Sequence, residues 1–109
     1  MVTKTIDGLF VQLNWPSVDL LKLDLEGFDH YALLGTRKTL CRSKISLIQF
    51  EVTRSWEYSG CSPCSTFRYL DQLGFDLYYI HPSGLKKINK LETPYFKIYS
   101  YCVARLRCP

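Results

Sequence analysis

The residue pattern predicts an α/β layer fold, with helices packed on a sheet whose last strand runs antiparallel. Short apolar runs alternate along the chain with stretches of helical periodicity, which is how strands and helices of one layered domain read. The last two strand patterns have no helical stretch between them, and strands joined without a crossover helix pair antiparallel. Apolar residues make up 47% and aromatics 15% of the 109 residues, which suits one modest core and excludes a disordered chain.

The first strand pattern covers residues 18–24. It is mostly apolar and runs into acids and Gly27, as expected of a strand buried on both faces. Residues 28–34 place Phe28, Tyr31 and Ala32 on one helical face, and Gly35 stops that helix. Thr36 caps a further turn over 36–40. Residues 46–52 alternate and are rich in β-formers, which makes them the second strand. Residues 53–62 read as a loop. Pro63 suits a first helical position, and the helix over 63–73 buries Phe67, Leu70 and Leu73 before Gly74 ends it. Residues 75–80 form the third strand, and His81-Pro82-Ser83-Gly84 a turn. Residues 85–94 are polar, with Pro94 as a breaker, and 95–106 form a long last strand. All of this fits one small domain.

The net charge is +4. Residues 1–36 carry two Lys and five acids, a net of −3; residues 37–109 carry twelve basic groups and five acids, a net of +7. The basic groups stand singly or in pairs (Arg37-Lys38, Lys86-Lys87), so no nucleic-acid partner is expected. No apolar run approaches the roughly 20 residues of a membrane span, and the N-terminus has no apolar signal core. The chain reads as cytoplasmic by default, its true compartment unknown.

The five cysteines are an odd count, which does not suit a closed disulfide framework. Cys41 and Cys102 read as small core residues. Cys61-Ser-Pro-Cys64 opens a helix after a strand, the arrangement of thioredoxin-like thiol oxidoreductases, in which the helix start activates the thiol. Eight residues between Glu51 and Gly60 are more than that arrangement allows, so structural thiols are the first reading. The spacing of Cys102 and Cys108 is poor for zinc, and no metal is expected.

Asp24, Glu26 and Gly27 fall at the carboxyl end of the first strand, where ligands bind in open α/β sheets. Carboxylates there can orient a hydroxyl or act as general base. The plainer reading is that Glu26 or Asp29 caps or charges the N-terminus of the next helix. Glu51 ends the second strand at the same edge, with Arg54 as its expected partner. His30 and His81 read as surface residues. Trp15, Trp56, Tyr58 and Tyr95 either line an acceptor pocket or cover the core.

The stretch Asp19-Leu-Leu-Lys-Leu-Asp-Leu-Glu-Gly27 resembles the Lys-x-Asp-x-Glu-Gly signature of the FkbM family of S-adenosylmethionine-dependent methyltransferases. Asp29 and Leu33-Leu34-Gly35, then Ile48-Gln-Phe-Glu51, then Leu73-Gly74-Phe75, and upstream Thr5-Ile-Asp-Gly-Leu9, resemble the family's flanking pattern in the same order. The resemblance implies a Rossmann-like sheet of the class I methyltransferase type, with strand 75–80 at its edge and strand 95–106 inserted between 75–80 and 46–52. It implies O-methyl transfer, with Asp24 and Glu26 as catalytic residues and Gly27 and Glu51 on the acceptor. The acceptor would be a small-molecule, glycan or lipid hydroxyl.

The chain has no Gly-x-Gly, the turn that lets backbone approach such a cofactor. Residues before Val18 are too few for three strands and their helices. The chain therefore reads as the C-terminal half of such a domain, not expected to bind S-adenosylmethionine tightly by itself. Its strand 18–24 would have an unpaired edge open to self-association. A non-catalytic half-domain serving as an interaction module is the remaining alternative.

Overall fold

The computed structural model describes residues 3–89 and 100–107. The chain enters through helix α1 (Ile6–Leu13), which the apolar pattern alone does not announce. Its ends are set by polar groups: Thr5 Oγ1 accepts the Gly8 amide at 3.0 Å, and Asn14 closes the helix in the left-handed region at φ 52°. Asp7 then caps a neighbour. Its carboxylate accepts the Lys38 and Thr39 amides (3.0 and 2.9 Å) and the Thr39 hydroxyl (2.6 Å) at the start of α3 (Arg37–Cys41). Burial opposes ionisation of Asp7, but these bonds outweigh it and hold its pKa below the ordinary value.

Strand β1 (Val18–Lys22) and helix α2 (Asp29–Leu34) lie between α1 and α3 in the chain. After α3 come β2 (Ile45–Val52), α4 (Ser55–Ser59), α5 (Pro63–Gln72), β3 (Phe75–His81), β4 (Gly84–Lys87) and β5 (Ser100–Leu106). The five strands form one mixed sheet in the order β1-β2-β5-β3-β4. β1 and β2 are parallel, and β5 runs antiparallel to both β2 and β3. The last strand thus sits between the second and third, as expected.

Several expectations are corrected. The segment read as a loop over 53–62 contains α4, because Trp56 is buried to 1% exposure and its indole N–H donates to the Glu51 carbonyl at 2.9 Å. The turn and polar stretch after 80 contain β4, which pairs with β3 through Tyr78↔Lys87 and Ile80↔Leu85. Strand 75–80 is therefore not the sheet edge. Cys41 is exposed rather than in the core, whereas Cys102 is buried. Residues 95–99 of the expected last strand, with Thr93, Pro94, Tyr95 and Cys108, lie outside the described residues.

The strand expected to be buried on both faces is buried on neither completely: Leu20 is 49% exposed. The register explains this, because residues paired across strands share a face. One face carries Ile48, Ala104 and Leu77 in one row and Phe50, Cys102 and Tyr79 in the next. It packs on Trp56 and Phe67, whose rings lie 6.1 and 6.3 Å from that of Phe50. The opposite face carries Leu20, Leu47, Arg105 and Asp76, then Lys22, Gln49, Val103, Tyr78 and Lys87. None of these is buried. Among the described residues the sheet therefore has one covered face and one partly open face, the habit of antiparallel sheets.

Arg107 ties the end of β5 to α5 and β3. Its guanidinium donates to Asp71 Oδ1 (3.1 Å), Asp76 Oδ1 (2.9 Å) and the carbonyls of Asp71 (2.7 Å) and Phe75 (2.9 Å). The Arg107 bond holds the Asp76 pKa low. Arg107→Ala should cost about 1–2 kcal/mol, a figure kept small because the site is partly exposed. The loss should appear in denaturant titration at pH 7. It should shrink as pH falls through the carboxylate range, because a depressed carboxylate contributes stability only while ionised.

Candidate functional site

The two parallel strands β1 and β2 bring the predicted residues to one edge. The strands are paired through Lys22↔Gln49, and the Leu23 amide still donates to the Gln49 carbonyl at 2.8 Å, one residue before Asp24 and two before Glu51. Asp24 is exposed and Glu51 half-buried, at the carboxyl ends of their strands. Among the described residues Glu51 forms no ion pair with Arg54, contrary to expectation.

The chain then reverses sharply. Glu26 and Gly27 both adopt positive φ, 52° and 97°, and the Phe28 amide closes the turn on the Leu25 carbonyl at 3.2 Å. Gly27 is buried against the start of α4: a Cβ there would lie 2.4 Å from the Ser55 carbonyl oxygen and 2.9 Å from the Trp56 nitrogen. The glycine thus serves a backbone-to-backbone approach. Its fixed place leaves the Glu26 side chain exposed, 3.5 Å from Ser55 Oγ. Leu25, Phe28 and Tyr31 form an exposed apolar rim, with the Phe28 and Tyr31 rings 5.9 Å apart and the Tyr31 hydroxyl donating to the Ser59 carbonyl at 3.0 Å.

Asp29 is the residue that sequence reasoning undervalued. It is 1% exposed, and neither carboxylate oxygen has a hydrogen-bond partner. It does not cap α2, whose cap position is Phe28 with no side-chain bond, but it stands as the acid of that helix's first turn, the other half of the plainer reading. Burial pushes its carboxyl above the ordinary range. The backbone at Leu25, Asp29 and Gly27 pulls the other way, and the Asp24 charge adds to the rise.

The other candidates fall away. His30 is half-buried rather than on the surface; its Nδ1 lies 2.7 Å from Thr66 Oγ1, joining α2 to α5, and burial lowers its pKa. His81 is exposed and held within its own turn by Ser83. Trp56 is core, Tyr58 is 89% exposed, and Trp15 packs edge-on against Phe10 away from the carboxylates. Cys61 and Cys64 are half-buried. Among the described residues no three His, Cys, Asp or Glu side chains are placed to hold a metal. An open groove between α1 and α3, lined by residues such as Trp15, Lys38 and Arg42, includes none of the strand-edge acids Asp24, Glu26 and Glu51.

A sulfonium nucleoside cofactor needs a glycine cradle for close backbone approach and an acid for its ribose. Gly27 is filled by α4, while Gly60 and Gly84 face nothing within 4 Å. Gly27, the glycine of the strand-edge turn, therefore offers no such cradle. The family model for the methyltransferase FkbM domain matches residues 1–78. No curated protein and no solved structure matches the chain.

Proposed function

Because the chain belongs to the FkbM methyltransferase family, we propose that it supplies the acceptor side of an O-methyl transfer. The family in general depends on S-adenosylmethionine, and the cofactor would supply the methyl group. The observation that supports the reading is the Asp24–Gly27 turn, which presents two exposed carboxylates after β1, the strand paired in parallel with the β2 that carries Glu51 near its end. Asp24 accepts the hydrogen of the acceptor hydroxyl and raises the electron density on its oxygen. Glu26 and Glu51 hold neighbouring polar groups, and fixed orientation lowers the entropic barrier to transfer. The rim of Leu25, Phe28 and Tyr31 suits an acceptor with an apolar face.

The test is transfer of labelled methyl from S-adenosylmethionine to a panel of sugar, polyketide and lipid alcohols by the native protein isolated from its own cells. Asp24→Asn with Glu26→Gln should reduce the rate at least about 100-fold. Unchanged turnover in that variant would exclude the carboxylates. In calorimetry the 109-residue chain by itself should show no saturable binding of S-adenosylmethionine at micromolar concentration; micromolar affinity would mean that its residues do fit the cofactor.

We propose further that β1 mediates self-association. β1 pairs only with β2, so its other edge meets no described strand, and unpaired edges recruit other chains. Sedimentation should show mass rising with concentration, with Leu20→Lys returning the protein to monomer. A wild type that stays monomeric at the highest concentrations would refute it.

A further inference from the structure

Between α1 and α3 lies an open groove of about 1030 Å³, a size that takes a single organic ligand. Its two walls differ in chemistry. The α1 side presents Val11 and Trp15, which are 81% and 43% exposed. The opposite side carries Lys38 on α3, Arg42 at the end of α3 and Lys44 just before β2, all exposed. We propose that this groove binds a phosphate monoester with an apolar body. The inference does not rest on the methyl-transfer reading, because the groove contains none of the strand-edge acids.

The charge of the groove selects the head group. Lys38 and Arg42 stand four residues apart and so share a face. Among the described residues neither they nor Lys44 form an ion pair. Asp7 is the acid of the described lining, but both its oxygens are engaged. They accept the Lys38 and Thr39 amides and the Thr39 hydroxyl, so its charge serves the start of α3 and leaves the three cations to a ligand. Three cations against one carboxylate give the lining a net of +2. A phosphate monoester carries roughly −2 at neutral pH and balances it. A concave surface of one charge sign focuses its field, and Arg and Lys donate charge-assisted hydrogen bonds to phosphate oxygens.

The walls are preformed. The Asp7 amide donates to the Gly35 carbonyl at 3.0 Å while its carboxylate holds α3, so α1 is fixed to both neighbouring helices. The Val18 amide donates to the Lys44 carbonyl at 2.7 Å, which ties the segment after Trp15 to Lys44. The Trp15 ring meets Phe10 edge-on, 5.3 Å between centroids, so the indole is held in place yet remains open to a ligand. An exposed indole facing cations suits a molecule with one apolar and one charged end. Fixed walls also spare a ligand the entropy of ordering them. The bounded volume suits one molecule rather than a bilayer surface.

The experiment is NMR and fluorescence titration of the chain with monomeric octyl phosphate, octanoate and octyl glucoside. Octyl phosphate should give saturable amide shifts centred on Val11, Trp15, Lys38 and Arg42. It should also move Trp15 emission to shorter wavelength, against a Trp56 that is buried throughout. Octanoate, with one charge, should bind more weakly, and the neutral glucoside should leave the groove unshifted. Arg42→Gln with Lys44→Gln should weaken octyl phosphate at least about tenfold. Raising salt to about 0.5 M should weaken wild-type binding as well, which reads the same charges even if the double variant fails to fold. An unshifted groove, octanoate or glucoside binding as tightly as octyl phosphate, or an affinity indifferent to salt would overturn the proposal. Binding to anionic phospholipid vesicles without binding to monomeric octyl phosphate would overturn it too. None of these results bears on methyl transfer at the strand edge, so the two readings fail separately.

Discussion

Replacing Gly27 with alanine should destabilise the protein by about 3 kcal/mol or more. Two independent costs add at this position. The backbone sits at φ 97°, where a side chain is strained. The new Cβ would also lie 2.4 Å from the Ser55 carbonyl oxygen, a backbone atom that no rotamer change can move aside. Relief requires the turn to lift off α4, which displaces Asp24 and Glu26 together. For a domain of this size the loss corresponds to a fall in melting temperature of roughly 15 °C. Gly60→Ala separates the two terms, since Gly60 has φ 77° but nothing within 4 Å. It should cost only the conformational part, about 1 kcal/mol. Thermal unfolding of both variants by circular dichroism checks the difference. Equal effects would mean that the Ser55 contact carries no weight.

Trp56→Ala should cost about 3–5 kcal/mol, a large share of the roughly 5–15 kcal/mol that holds such a domain together. The indole is 1% exposed and packs on Phe50, so its removal leaves a cavity beneath β2. Its N–H also satisfies the Glu51 carbonyl at 2.9 Å. Trp56→Phe keeps most of the volume and loses only that bond, and should cost about 1–2 kcal/mol. Because the lost bond is made at Glu51, the phenylalanine variant should also perturb the Glu51 amide resonance more than those in β3. Denaturant midpoints for the two variants, compared at equal slope, measure the partition.

Much of the fold is legible from residue order. The alternation in 46–52 and the apolar run at 75–80 mark β2 and β3, and Pro63 marks the first residue of α5. The strand-edge acids are legible because a short apolar run ends in Asp24, Glu26 and Gly27. What escapes the pattern depends on distant partners. α4 is five residues long and has no side-chain cap bond; the burial of Trp56 anchors it. β4 is exposed at all four of its positions, so no apolar signal marks it, and pairing with β3 defines it. Leu20 reads as buried because leucines usually are, yet its face has no cover among the described residues. The enclosure of Asp29 is the largest miss, because nothing local separates a buried acid from a capping one. A carboxylate directly after Gly27 and an exposed Phe28 was the available signal.

Whether the strand-edge carboxylates receive a hydroxyl is measured most directly by amide and carboxyl NMR of the chain during titration with a methyl glycoside, a short-chain alcohol and a macrolactone alcohol. At least one should shift resonances centred on Asp24, Glu26, Gly27 and Glu51, and Asp24→Asn with Glu26→Gln should abolish the response. Shifts centred on the groove between α1 and α3, or a response that survives the double substitution, would contradict it.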